Sequence, residues 1–178
     1  MLLHADGGEL TMRSVAARAG LHLNNVQYYF KTRYDLVKAL IAYIGEHYQQ
    51  AYDALLARVG TDPAVRFRSI VRFNLEDSFK TETRTLFVHL WALLNELDGR
   101  TGELIGELYA INIAQLSGAL AAVYPDLSDE EIGRRVTLIA GLTEGLMLVR
   151  GSSWPRAPRT LKLLESAFTQ AMRIAAGQ

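Results

Sequence analysis

One short stretch, residues 23–33, concentrates the side chains best suited to contacting another molecule: Asn24, Asn25, Gln27, Tyr28, Lys31 and Arg33. An asparagine amide offers a donor and an acceptor together, which suits the N6/N7 edge of adenine in a major groove. Leu23 suits a thymine methyl. Gln27, Tyr28, Lys31 and Arg33, with Thr11 upstream, suit the phosphate backbone, whose contacts set register but carry no sequence information, and His22 is a further DNA-binding candidate. Catalytic chemistry has no comparable concentration. The chain has no cysteine, no G-x-S-x-G elbow, no phosphate-cradling glycine loop and no H-E-x-x-H. His4, His22, His47 and His89 lack a spacing that sets two on one helical face. The expectation is a non-enzyme with no metal and no cofactor. Taken alone, the polar stretch reads more readily as an ordinary helical hairpin with a solvated face than as a DNA-contacting surface.

The elements that must position this stretch are also legible. Thr11 is a good N-cap for a helix from Met12 to Arg18, along which Met12, Val15, Ala16 and Ala19 recur at helical spacing. Gly20 ends it, since glycine takes the left-handed conformation without a steric cost. A second short helix, from about His22 to Phe30, is expected to turn Val26, Tyr29 and Phe30 towards the first. Small Ala16 and Ala19 allow a close crossing. The pattern is that of a helix-turn-helix.

Residues 11–36 resemble the DNA-binding signature of the TetR family of bacterial regulators. The matching positions are Thr11, Val15, Ala16, Ala19, Gly20, Leu21, Val26, Tyr28, Tyr29, Phe30, Arg33 and Leu36. His22 stands where the family usually has a capping Ser or Thr, and Gln27 where it usually has a phosphate-contacting Tyr. The resemblance implies an all-α protein: an N-terminal helix-turn-helix domain over residues 1–45, and a helical effector-binding and dimerisation domain over residues 46–178. It also implies a longer first helix, with Met1–His4 as its last turn and Asp6-Gly7-Gly8 as the following turn. On that reading roughly five helical turns lie upstream of Met1.

The totals fit a helical globular protein. The chain has 178 residues, 49% of them hydrophobic, and a formal net charge of zero. Neutrality alone argues against a strongly basic nucleic-acid binder. Residues 1–45 hold Arg13, Arg18, Lys31, Arg33 and Lys38 against Asp6, Glu9 and Asp35, a net of +2. The absence of cysteine is compatible with a reducing cytoplasm, and the N-terminus carries no signal-peptide pattern. The longest uncharged run, Leu108 to Pro125, contains Asn112, Gln115 and Ser117 and reads as a buried helix rather than a membrane span.

Further helices are expected from about Tyr34 to Val59, with Leu36, Leu40, Tyr43, His47, Ala51 and Leu55 inward, and from Pro63 to about Phe79 after an Asp62 cap. Another follows Thr81 and breaks at Asp98-Gly99-Arg100; the next spans Gly102 to Val123. Ser128-Asp129-Glu130-Glu131 is a capping box for a helix to Arg150, nearly apolar all round past Arg135. Gly151 to Pro158 is a turn before the last helix.

The resemblance implies that an apolar or amphipathic effector binds among the middle helices, where Phe73, Phe87, Trp91, Asn95, Tyr109 and Asn112 are candidate lining residues. It implies a homodimer on a roughly palindromic double-stranded operator. The candidate dimer surface is Val136, Ile139, Ala140, Leu142, Gly145 and Leu146 with Leu161, Leu164 and Phe168. The functional expectation is a cytoplasmic, ligand-responsive transcriptional regulator, most often a repressor in that family. The main alternative is a helical small-molecule-binding protein that no longer binds DNA.

Overall fold

Short polar side chains, proline and glycine decide where each helix starts and stops. The structure, a computed structural model, describes residues 11–97, 101–150 and 160–178. Among them lie eight α-helices and no strand: α1 (Met12–Ala19), α2 (Leu23–Tyr29), α3 (Arg33–Leu56), α4 (Pro63–Ser78), α5 (Thr81–Asn95), α6 (Thr101–Val123), α7 (Asp129–Arg150) and α8 (Thr160–Ala176). The all-α expectation is therefore met. The expected turns at Met1–His4, Asp6-Gly7-Gly8, Asp98-Gly99-Arg100 and Gly151–Pro158 lie outside the described residues.

The caps follow the sequence. Thr11 Oγ1 accepts from the Ser14 N–H and Ser14 Oγ accepts from the Thr11 N–H, each at 3.0 Å. This reciprocal pair satisfies two donors that the first turn of α1 cannot use itself. Thr32 and Asp35 form the same device at the start of α3, at 2.9 and 3.1 Å. Asp62 caps α4 through the Val65 N–H, with Pro63 in the first turn. At α7, Ser128 Oγ accepts from the Glu131 N–H at 3.2 Å. The Glu131 carboxylate is instead drawn to Arg134 and Arg135, whose hydrogen bonds hold it down to a pKa of about 2.

The chain divides into two compact units. One takes residues up to His47 together with Thr85–Leu108; the other takes Tyr48–Arg84 with Tyr109–Gln178. In the first, Ala16, Val26, Leu36, Val37, Ile41, Ile44, Phe87, Leu90, Leu93, Leu94, Leu104 and Leu108 are buried. In the second, α4, α7 and α8 pack on one another. Phe67, Ile70, Val71, Leu75, Leu116, Leu120, Val136, Ile139 and Phe168 form its core with Tyr52.

Three packing expectations are corrected. On α3, Leu36 is buried as expected, but it is joined by Val37, Ile41, Ile44 and Tyr52, while Tyr43 and His47 are exposed. The helix carries apolar side chains on more than one side, and packing buries Ile41 and Ile44 rather than Tyr43. α6 is long and apolar enough to cross a membrane, but only one side of it is buried: Leu104, Leu108, Leu116 and Leu120 are inside, and Gly106, Ala110, Ala114, Gly118 and Ala122 are exposed. A core helix of a soluble protein has the same composition. α7 is open along Leu138, Gly141, Gly145 and Leu148, although its sequence past Arg135 is nearly apolar all round.

Candidate functional site

The residues that could meet a nucleic acid belong to α1, α2 and the start of α3. Eight- and seven-residue helices are too short to persist alone, so α1 and α2 depend on packing against each other. Gly20 makes the turn at φ +67°, its N–H directed to Ala16 O and Ala17 O, and the Leu21 N–H reaches Ala16 O at 2.9 Å. Ala16 and Val26 are buried, and Phe30 is half-buried. Ala19 and Tyr29 are exposed, so the close approach falls to Ala16 alone and Tyr29 joins the outer face.

That outer face holds Asn24, Asn25, Gln27, Tyr28, Tyr29 and Lys31, all exposed, with Leu23 half-buried beside them. The Lys31 ammonium stands 5.0 Å from the Tyr28 ring centroid, and the Tyr29 ring meets Tyr28 edge-on at 5.3 Å. A cation held over an aromatic face is partly preorganised yet keeps donors free for an anion. Thr11 is half-buried and spends its hydroxyl on the cap.

Two members behave differently from the rest. His22 is the N-cap of α2, but its ring makes no cap bond; its carbonyl accepts from the Asn25 N–H at 3.0 Å. The capping Ser or Thr that the family usually has at this position is not replaced by the His22 ring, whose nitrogens lie further from the backbone than a hydroxyl bonded to Cβ. Arg33 is half-buried, and its Nη2 lies 2.5 Å from Glu96 Oε2. Its Nε is buried without a hydrogen-bond partner. Glu96 follows α5, and nothing in the local sequence around Arg33 signals so distant a partner. Nearby, Tyr34 donates to Glu103 at 3.1 Å and Lys38 pairs with Glu107 at 2.9 Å, which raises the lysine pKa.

The candidate effector residues fall in separate units. Phe87, Trp91 and Asn95 belong to the first, where Phe87 is buried, Trp91 half-buried and Asn95 exposed. Phe73, Tyr109 and Asn112 belong to the second. There Asn112 Nδ2 donates to the Tyr52 hydroxyl at 2.9 Å, and that hydroxyl donates to Asn74 Oδ1 at 2.6 Å, while Phe73 meets the Tyr52 ring edge-on. Burial pushes the Tyr52 hydroxyl up to about 12. The Tyr48 hydroxyl, raised by burial and by Asp77, donates to that carboxylate at 2.7 Å. A groove of about 330 Å³ opens in the same unit between Leu56, Pro63, Arg66 and Ile70 on one side and Gln115, Gly118 and Ala122 on the other. None of the six expected residues lines it.

Of the candidate dimer residues, Val136, Ile139, Leu164 and Phe168 are buried within their own chain. Ala140, Leu142 and Leu146 are half-buried; Gly145 and Leu161 are exposed. The exposed apolar face of α7 instead runs through Leu138, Gly141, Gly145 and Leu148, rotated about the helix axis from most of the expected set, with which it shares Gly145. Compared with known proteins, the chain matches no family model, no curated protein and no solved structure.

Proposed function

We propose that this chain is a sequence-specific DNA-binding regulator of the TetR type, acting as a homodimer on a roughly palindromic operator and responding to an apolar or amphipathic small molecule. The single observation that carries this reading is the joint exposure of Asn24, Asn25, Gln27 and Tyr28 on a short helix seated by α1, with Lys31 exposed just after its end. In this reading α1 and α2 are the helix-turn-helix, and α2 enters the major groove. Asn24 and Asn25 read base edges, while Gln27, Tyr28 and Lys31 hold the phosphates. The effector binds the second unit, and α3 communicates its presence, because residues 33–47 belong to one unit and residues 48–56 to the other without a break in the helix. A dimer must hold its recognition helices about one DNA turn apart, ~34 Å. An effector that favours another spacing weakens operator binding by the coupling energy, typically about 1–3 kcal/mol.

The experiment is selection of bound fragments from genomic DNA with the purified chain. Enriched fragments should share two inverted half-sites, and Asn25→Ala should alter the preferred bases within each. Enrichment no greater than that of random DNA removes the reading. A second reading, a helical small-molecule-binding protein without DNA affinity, is favoured by the groove beside Ile70 and Gly118. Ligand-induced stabilisation in a chain that retains no DNA would support it.

A further inference from the structure

Arg33 opens α3 immediately after the candidate DNA-contacting face, and its charge is already engaged. Its Nη2 lies 2.5 Å from Glu96 Oε2, with the arginine side chain 31% and the glutamate side chain 54% exposed. Asp35, the acid closest in sequence, has its Oδ2 taken by the Thr32 N–H in the α3 cap. Glu96 is therefore the acid that takes up the guanidinium. It does not act alone. Tyr34 donates to Glu103, and Lys38 meets both Glu103 and Glu107, so the first two turns of α3 face three carboxylates from the Glu96–Glu107 stretch.

A phosphate and a carboxylate compete for the same guanidinium donors, because each can accept from its planar fork through two oxygens. While Glu96 holds Arg33, a DNA backbone arriving at this end of α3 meets a neutralised cation and a partly exposed acid.

We infer that Glu96 is an autoinhibitory residue: it withholds Arg33 from the DNA backbone, and opening of the Arg33–Glu96 pair is a step that strengthens DNA binding. The inference rests on the DNA-binding reading and adds a control element to it. An exposed pair of this kind is weak enough to open, since such pairs contribute only about 0.2–1 kcal/mol. Any change that draws the end of α5 away from the start of α3 frees one phosphate contact.

The test uses the full chain, a mixed-sequence DNA duplex and fluorescence anisotropy across a range of salt concentrations. Glu96→Gln keeps the side-chain shape and removes the charge. It should tighten binding by about two- to fivefold at low salt. It should also steepen the slope of log affinity against log salt by close to one unit, the signature of one added phosphate contact. The double variant Arg33→Ala/Glu96→Gln should lose both gains relative to Arg33→Ala. Persistence of the gain in the Arg33→Ala background would assign it to general charge and overturn the inference. DNA binding by the parent with Glu96→Gln unchanged would overturn the inference and leave the DNA reading standing. Absence of binding by both would remove both. Circular dichroism of each variant confirms the fold, which a solvent-facing amide substitution should leave intact.

Discussion

Tyr109 donates its hydroxyl to Glu144 Oε2 across 3.0 Å, joining α6 to α7 inside the second unit. Burial pushes the Glu144 carboxyl above its ordinary value, and the tyrosine hydrogen bond acts in the opposite direction. A carboxyl raised in this way binds its proton more tightly folded than unfolded. Its contribution is fully present below the unfolded pKa and is lost as pH rises through the folded one. The melting temperature of the parent should therefore fall relative to Glu144→Gln as pH rises from about 4 to 7, the two converging in acid. Tyr109→Phe should widen the gap, because it removes the bond that favours the charged form. A difference that stays constant with pH would disprove the assignment.

Tyr52 is fully buried, and its hydroxyl joins three helices by donating to Asn74 and accepting from Asn112. Tyr52→Phe keeps the ring but leaves an amide oxygen and an amide N–H without their partner. The cost of such orphaned groups is about 1–3 kcal/mol. Urea denaturation should show that loss in the midpoint, with the slope unchanged.

Gly20→Ala isolates a backbone effect. A Cβ at this position meets nothing within 4 Å, yet the φ of +67° disfavours any L side chain. The cost should be roughly 1 kcal/mol. It should be local: amide exchange in α1 and α2 should quicken while α8 stays protected. Equal quickening throughout the chain would count against the turn as a separate element.

Leu138, Gly141, Gly145 and Leu148 line the exposed side of α7, with Leu161 exposed on α8. If this side is the dimer contact, Leu148→Glu should weaken the dimer at least about a hundredfold, since each copy loses roughly 1.5–3 kcal/mol of apolar burial and gains a charge. Light scattering after size exclusion should then report the monomer mass with helicity retained. Parent and variant eluting with the same mass would move the interface elsewhere.

What the sequence determined by itself was local. Helix identity followed from the 3.6-residue spacing of apolar side chains, and helix ends followed from Thr11, Gly20, Asp62-Pro63 and Ser128, whose effects act within a few residues. The polar outer face of α2 was legible for the same reason, because one buried position, Val26, sets the orientation of a seven-residue helix. Tertiary structure decided everything that depends on which of two possible partners a side chain meets. It chose Ile41 and Ile44 over Tyr43 on α3, turned Leu138 and Leu148 outward while burying Val136 and Ile139, and delivered Glu96 to Arg33. A helix with apolar residues on more than one side has no preferred inner face until its neighbours arrive. A charge pair spanning 63 residues leaves no periodic trace in the chain that forms it.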